Sequence, residues 1–123
     1  MTTDELLARV RAICTALPEV EEHAPPVGGS MTAFKVRGKT FAWFCDNHHG
    51  DGRIAVWYKG APGVQLALVQ SHPDRYFAPP YVGPKGWIGA RVDVDGVDWE
   101  ELEDLLDESY RMTAPKRKGS ASA

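Results

Sequence analysis

The chain has 123 residues, of which 43% are apolar and 25% are charged, so a single soluble globular domain is expected. No apolar run approaches the roughly 20 residues that a membrane span needs, and the acidic, amphipathic start MTTDELLARV is unlike a secretory signal, so we expect a cytoplasmic protein with no membrane partner. Two cysteines exclude a disulfide framework, and a net charge of −3 by itself argues against a nucleic-acid binder.

The first predicted element is a helix over residues 3–17. Its apolar residues recur at spacings of three and four and form one stripe, made of Leu6, Leu7, Val10, Ile13, Cys14 and Leu17. Thr2, followed three residues later by Glu5, fits a capping box, and Pro18 ends the helix. Because residues 21–30 (EEHAPPVGGS) are rich in Pro, Gly and Ser, we predict a loop there.

Residues 31–59 are predicted to form a β-meander of three strands. The stretch MTAFKV alternates apolar and polar residues, and RGK after it supplies a glycine-containing turn. TFAWFC is apolar on both sides, as in a central strand, and RIAVWYK is rich in β-branched and aromatic residues. Between these two, DNHHGDG has the Asn, Asp and Gly content of a turn. Strands joined by tight turns indicate an antiparallel sheet.

The second half of the chain adds two helices and a strand. Residues 62–72 suit a short helix with a proline in its first turn, and residues 76–86 contain three prolines and are predicted to be a loop. WIGARVDV, residues 87–94, alternates as a strand does. Residues 98–112 form the clearest helix, capped by Asp98 and with an apolar face of Trp99, Leu102, Leu105, Leu106 and Tyr110.

These elements predict one α+β domain over residues 1–112. Its antiparallel β-sheet would be covered on one face by the N- and C-terminal helices, which gives a two-layer architecture. The remaining residues, 113–123, are basic and of low complexity, and we predict that they form a disordered tail.

Charge is distributed unevenly along the chain. Residues 24–92 carry eight cations and three acids, net +5, whereas residues 93–111 carry one cation and nine acids, net −8. The middle of the chain is therefore basic although the whole is acidic. The acids of the C-terminal helix are interpreted as its solvated face, because runs of charge are usually solvated.

Several segments together, in their order and spacing, resemble the MmcQ/YjbR family of small bacterial proteins. They are ICTALPEVEEH (13–23), FKVRGKTFA (34–42), the strand-end Lys59, GWIGARVD (86–93) and VDWEELEDLLDESYRM (97–112). The resemblance covers everything but the tail. It implies an α+β fold similar to that of the frataxin-like CyaY proteins and the DNA-binding role by which the family is described. By motif position, the residues that match the family pattern are Lys39, Phe41, Lys59 and Trp87.

The basic block supplies a candidate binding surface. Side chains two residues apart on a strand share a face, so Lys35 and Arg37 can point together and Lys39 follows across the turn. Cations interleaved with aromatic residues suit phosphate contacts combined with base stacking. We predict that DNA or another polyanion binds the basic sheet face and its hairpin loops. The residues assigned to this site are Lys35, Arg37, Lys39, Lys59, Lys85 and Arg91, with Trp57 and Trp87 as stacking partners.

Two other interpretations of this surface remain open. The cations can form the solvated face of a half-covered sheet and pair with acids on the helices. The same face can also serve a protein-interaction or small-ligand-binding module that has no nucleic-acid role. Charge reversal of Lys35 together with Lys39 separates the readings, because it would remove DNA binding and affect a partner's apolar anchor less.

The turn DNHHGDG, next to Cys45, is the other candidate for chemistry. His48 and His49 are adjacent and point in opposite directions on a regular strand, and the chain has no C-x-x-C or H-x-x-x-H spacing. We therefore predict an exposed hairpin turn, no metal and no cofactor. Because no P-loop, nucleotide-binding glycine motif or supported Ser-His-Asp arrangement is present, we expect a non-enzymatic binding protein. For its oligomeric state, which the sequence leaves open, we favour a monomer.

Overall fold

The computed structural model describes residues 1–114. Its helices are α1 (Thr3–Thr15), α2 (Val64–Ser71) and α3 (Trp99–Thr113). Its strands are β1 (Val20–His23), β2 (Met31–Val36), β3 (Lys39–Asp46), β4 (Ile54–Lys59), β5 (Tyr76–Phe77) and β6 (Trp87–Arg91). Of the predicted tail, Thr113 ends α3 and Ala114 caps it, and the rest lies outside the described residues. Within the described range, no helix combines the length and apolar character needed to cross a bilayer.

All the strands pair in one antiparallel sheet, in the order β1-β2-β3-β4-β6-β5. A two-residue turn, Arg37 and Gly38, joins β2 to β3, and the register shifts by one residue between Phe34 and Lys35. This architecture confirms the predicted α+β fold with an antiparallel sheet.

One face of the sheet packs against α1 and α3. The helices contribute the stripes Leu6, Val10 and Cys14 from α1 and Leu102 and Leu106 from α3. The sheet contributes residues that are almost fully buried, among them Phe34, Phe44, Val56, Tyr58 and Ile88. Both helices begin at the predicted caps: Thr2 and Glu5 form the capping box, and Asp98 accepts a hydrogen bond from the Glu101 N–H. Burial of these two stripes is what fixes the helices on the sheet.

The opposite face has a second, smaller apolar cluster. Its buried members are Cys45, Ala55, Trp57 and Trp87, against which Met31, Trp43, Phe77 and Val82 pack. Phe77 lies directly over Gly89 of β6, where a Cβ atom would come within 2.4 Å of its ring. The chain from β5 to β6 therefore covers part of this face through Phe77 and Val82.

Two strands were missed by the sequence patterns. The loop predicted for residues 21–30 begins inside β1, which pairs with β2, and the loop predicted for residues 76–86 begins with β5, which pairs with β6. Both strands lie at the sheet edges and are short, with little apolar alternation. These two strands form because their backbones pair with a neighbouring strand. The pattern of side chains within a short segment does not predict such pairing.

Candidate polyanion interface

The antiparallel order brings several chain segments to the same end of the sheet. The β2–β3 turn lies at this end, because Val36 at the end of β2 is opposite Lys39 at the start of β3. The end of β4 and the start of β6 lie at the same end, where Lys59 is opposite Trp87. The 3₁₀ turn Gly83–Lys85 immediately precedes β6. We call the five cations gathered here the basic end, and its members are Lys35, Arg37, Lys39, Lys59 and Lys85.

Lys59 is fixed at the basic end through both its backbone and its side chain. Its backbone N–H donates to Ser109 Oγ at 2.9 Å, and that hydroxyl donates to the Phe41 carbonyl at 2.6 Å. Its Nζ lies 5.8 Å from the centroid of the Trp87 ring, a cation–π distance. Partial burial, and then the charge of Lys39, lower the pKa of Lys59. The charge of Lys39 is the smaller of these two causes.

The four lysines of the basic end have no carboxylate oxygen within 4.0 Å in the described part of the chain. Arg37 differs, because it contacts Glu19 at 3.1 Å. Both of these side chains are about half exposed, 41% and 52%, and exposed pairs of this kind contribute little stability. A phosphate can therefore replace Glu19 as the partner of Arg37 at small cost.

Arg91 lies apart from the basic end. It stands opposite Ala55 at the other end of β6 and makes two 3.1 Å bonds to the Asp93 carboxylate. This bidentate pair raises the pKa of Arg91, while burial opposes that rise. The sheet register therefore separates Arg91 from the cations with which the sequence grouped it.

Both predicted stacking residues are buried. Trp57 is 3% exposed and Trp87 is 8% exposed, under a cover that includes Phe77 and Val82. Neither indole presents an open face, so a base can stack on them only after the covering segment moves. Trp43, which pairs with Trp57 in the register, is the more accessible indole of this face.

Ser109 was not identified by sequence reasoning. It is fully buried on the apolar side of α3, between the strands β3 and β4, where their regular pairing has ended at Ala42 and Tyr58. The available signal was its spacing: Leu102, Leu106, Ser109 and Thr113 follow the helical repeat, so a polar residue occupies a core position. A buried hydroxyl at such a position needs partners, and it finds them in the backbone of the basic end.

The histidine turn contains a short 3₁₀ segment, His48–Gly50. His48 Nδ1 is 2.8 Å from Ser30 Oγ, while His49 is exposed. Residues 1–114 contain no group of three His, Cys, Asp or Glu side chains arranged to hold a metal ion. The neighbouring Cys45 thiol is buried, and burial raises its pKa, so it is not a thiolate nucleophile at neutral pH.

Comparison with known proteins agrees with this fold. A search of curated proteins returns no match. A crystal structure of the Deinococcus radiodurans protein DR2400, with the family domain DUF419, superimposes with a TM-score of 0.75 at 24% identity, over 94% of this chain and 83% of that one. The family model described as YjbR matches residues 15–112, which is most of the chain. The chain therefore belongs to the YjbR family.

Proposed function

We propose that this protein is a non-enzymatic module that binds a polyanion, DNA, through the basic end. The observation that carries the proposal is the strand register, which brings Lys39 and Lys59 to the same end of the sheet, where the described residues place no carboxylate oxygen within 4.0 Å of either lysine. Like charges held together without a carboxylate partner destabilise the unbound protein, and a phosphate placed between them would relieve the repulsion.

The contacts expected are mainly to the phosphate backbone. Lysines from three segments and Arg37 surround the same end of the sheet, so they can follow a strand of phosphates without reading bases. Such binding would be independent of sequence and strongly salt-dependent, because each neutralised phosphate releases counterions. The acidic face of α3 would repel DNA, which favours approach from the β2–β3 turn.

The test is fluorescence anisotropy with labelled single- and double-stranded DNA at several salt concentrations. We expect saturable binding at low salt and a slope of log K against log salt of roughly −3 to −5 for four to six phosphate contacts. Replacing Lys39 and Lys59 by Gln should weaken binding at least tenfold. No binding at tens of micromolar protein, or binding that ignores salt, would reject the proposal.

Arg91→Gln is the matched control. It removes a positive charge from the same sheet but at the other end, where Asp93 already neutralises it. We expect its DNA affinity and salt slope to stay close to those of the unaltered protein. If Arg91→Gln weakens binding as much as Lys39→Gln, the interface covers the whole sheet face and the basic end is not the site.

A further inference from the structure

A groove of about 580 Å³ opens at the other end of the Trp-rich sheet face. β3 runs from Lys39 at the basic end to Asp46 beside this groove, a distance of roughly 23 Å at the rise of an extended strand. The groove is therefore separate from the proposed polyanion interface. The residues that matter for its chemistry are Pro26, Ser30, Met31, Trp43, His48 and His49.

An indole and a thioether form the apolar part of the groove. Trp43 and Met31 both line it and both are only partly buried, in contrast to Trp57, which is 3% exposed on the neighbouring strand. Pro26 and the side-chain-free Gly28 and Gly29 complete the lining on the side of the preceding loop. An accessible indole next to small residues leaves room for a flat ring to lie against it.

Two imidazoles form the polar part. The His48 ring is fixed by three contacts: Ser30 Oγ at 2.8 Å from its Nδ1, the His49 ring at a centroid distance of 3.9 Å, and the Trp57 ring edge-on at 5.4 Å. Burial, and then the nearby His49, lower the pKa of His48, which favours the neutral form of the ring. Ser30 occupies the Nδ1 atom of His48, so the Nε2 atom of this ring is left to face a polar atom of an uncharged ligand.

The turn that presents these imidazoles has an uncommon backbone conformation. Asn47 and His49 have φ values of 51° and 54°, in the left-handed region that non-glycine residues seldom adopt. The Asn47 side chain accepts a 2.7 Å hydrogen bond from the Gly52 N–H, and its own N–H donates to the Arg53 carbonyl at 2.8 Å. These bonds hold the backbone of the turn that carries His48 and His49.

We propose that this groove binds an uncharged, flat heteroaromatic ring of nucleobase size, stacked on Trp43 with its polar edge toward His48 and His49. The groove is not lined by a lysine or arginine within the described residues, so it offers a phosphate no cation. A purely apolar ligand would leave the His48 Nε2 atom and the His49 nitrogens facing it without a polar partner, whereas polar atoms in the plane of a heteroaromatic ring can pair with them. The proposal does not depend on DNA binding at the basic end.

Adenosine is the probe, because it carries no charge and gives the basic end nothing to hold. Titration followed by calorimetry and by chemical-shift changes should show saturable binding with a Kd on the order of 1 mM or tighter. The affected signals should be the Trp43 indole N–H and the amides of Ser30 and His48, and 0.5 M NaCl should leave the affinity unchanged.

Trp43→Leu should weaken adenosine binding at least tenfold, because it removes the stacking surface. Lys59→Gln, at the basic end, is the control and should bind as the unaltered protein does. If Trp43→Leu fails to fold, His49→Ala replaces it: this side chain is exposed, and its loss should weaken binding about threefold.

Three outcomes would overturn the proposal. The first is the absence of saturable adenosine binding up to 10 times the expected Kd. The second is unchanged affinity in Trp43→Leu or, where that variant does not fold, in His49→Ala. The third is binding of D-glucose at the same signals with affinity equal to or above that of adenosine, which would identify a sugar site. Because DNA binding is tested separately by its salt dependence, failure of either idea leaves the other intact.

Discussion

At the residue scale, the β2–β3 turn shows a conflict between conformation and charge. Arg37 and Gly38 both have positive φ, 49° and 80°, as a two-residue hairpin of the type I′ class requires. Gly38 adopts this conformation without strain, and Asn would suit the position before it. In this left-handed conformation Arg37 lowers the stability of the fold by about 1 kcal/mol, because its Cβ atom crowds the following carbonyl oxygen. The residue therefore places a cation at the basic end at the expense of stability.

We expect Arg37→Asn to stabilise the fold and weaken polyanion binding. The gain in the free energy of unfolding should be about 0.5 kcal/mol, because relief of backbone strain exceeds the loss of an exposed ion pair with Glu19. The salt slope of DNA binding should become shallower by about 1. Chemical denaturation and anisotropy measure the two effects.

Arg37→Gln is the control for this pair of effects. It removes the same charge but keeps a side chain that the left-handed conformation disfavours, so it should weaken DNA binding equally without any gain in stability. A loss of stability in Arg37→Asn would contradict the argument, because it would mean that the contact with Glu19 contributes more than the strain costs.

At the element scale, α3 does more than cover the sheet. Its Ser109 hydroxyl is inserted where the pairing of β3 and β4 has stopped, and it bridges the Phe41 carbonyl and the Lys59 N–H. A second contact from the same helix end is made by the Tyr110 hydroxyl, which donates to the Pro18 carbonyl at 2.7 Å. Helix α3 thereby sets the position of the strand end that carries Lys59.

Ser109→Ala should lower the free energy of unfolding by about 2–3 kcal/mol, because it deprives a backbone donor and a backbone acceptor of their partner in a buried setting. Ser71→Ala, at the exposed end of α2, is the control and should change stability by less than about 0.5 kcal/mol. Guanidinium denaturation distinguishes the two. A loss below about 1 kcal/mol in Ser109→Ala would show that the strands re-pair without the hydroxyl.

At the scale of the whole molecule, positive and negative charge are segregated. The basic end gathers cations from the turns and strand ends of the sheet, and α3 carries acids along its exposed side. The Ser109 hydroxyl contacts the backbone of Lys59, and the Tyr110 hydroxyl contacts the carbonyl of Pro18. The C-terminal end of α3 therefore lies next to the basic end. The chain beyond Ala114 contains Lys116, Arg117 and Lys118 and no acid.

Deletion of residues 115–123 should therefore weaken DNA binding at low salt. Three cations are lost from a segment attached next to the basic end, so the salt slope should become shallower by up to about 3 units. A full-length variant with Gln at the three positions separates charge from length and should behave like the deletion. An unchanged slope in both would mean that these cations make no phosphate contact.

Local patterns were sufficient to predict most elements. The stripe of Leu6, Val10 and Cys14 and the cap at Asp98 follow from a repeat and from hydrogen-bonding chemistry that act within a few residues. The edge strands β1 and β5 escaped prediction because their only support is a partner far along the chain. The burial of Trp57 and Trp87 escaped prediction for the same reason, because the residues that cover these indoles lie elsewhere along the chain.

By itself, the sequence determined the kind of domain, the family and the presence of a basic block in an acidic chain. Only the tertiary structure decided which cations lie together: the antiparallel register brings Lys39, Lys59 and Lys85 to one end and leaves Arg91 at the other, paired with Asp93. The physical reason is that charge is a property of a residue, whereas proximity depends on strand order. Electrostatic repulsion and ligand contacts act over distances that only the folded chain defines.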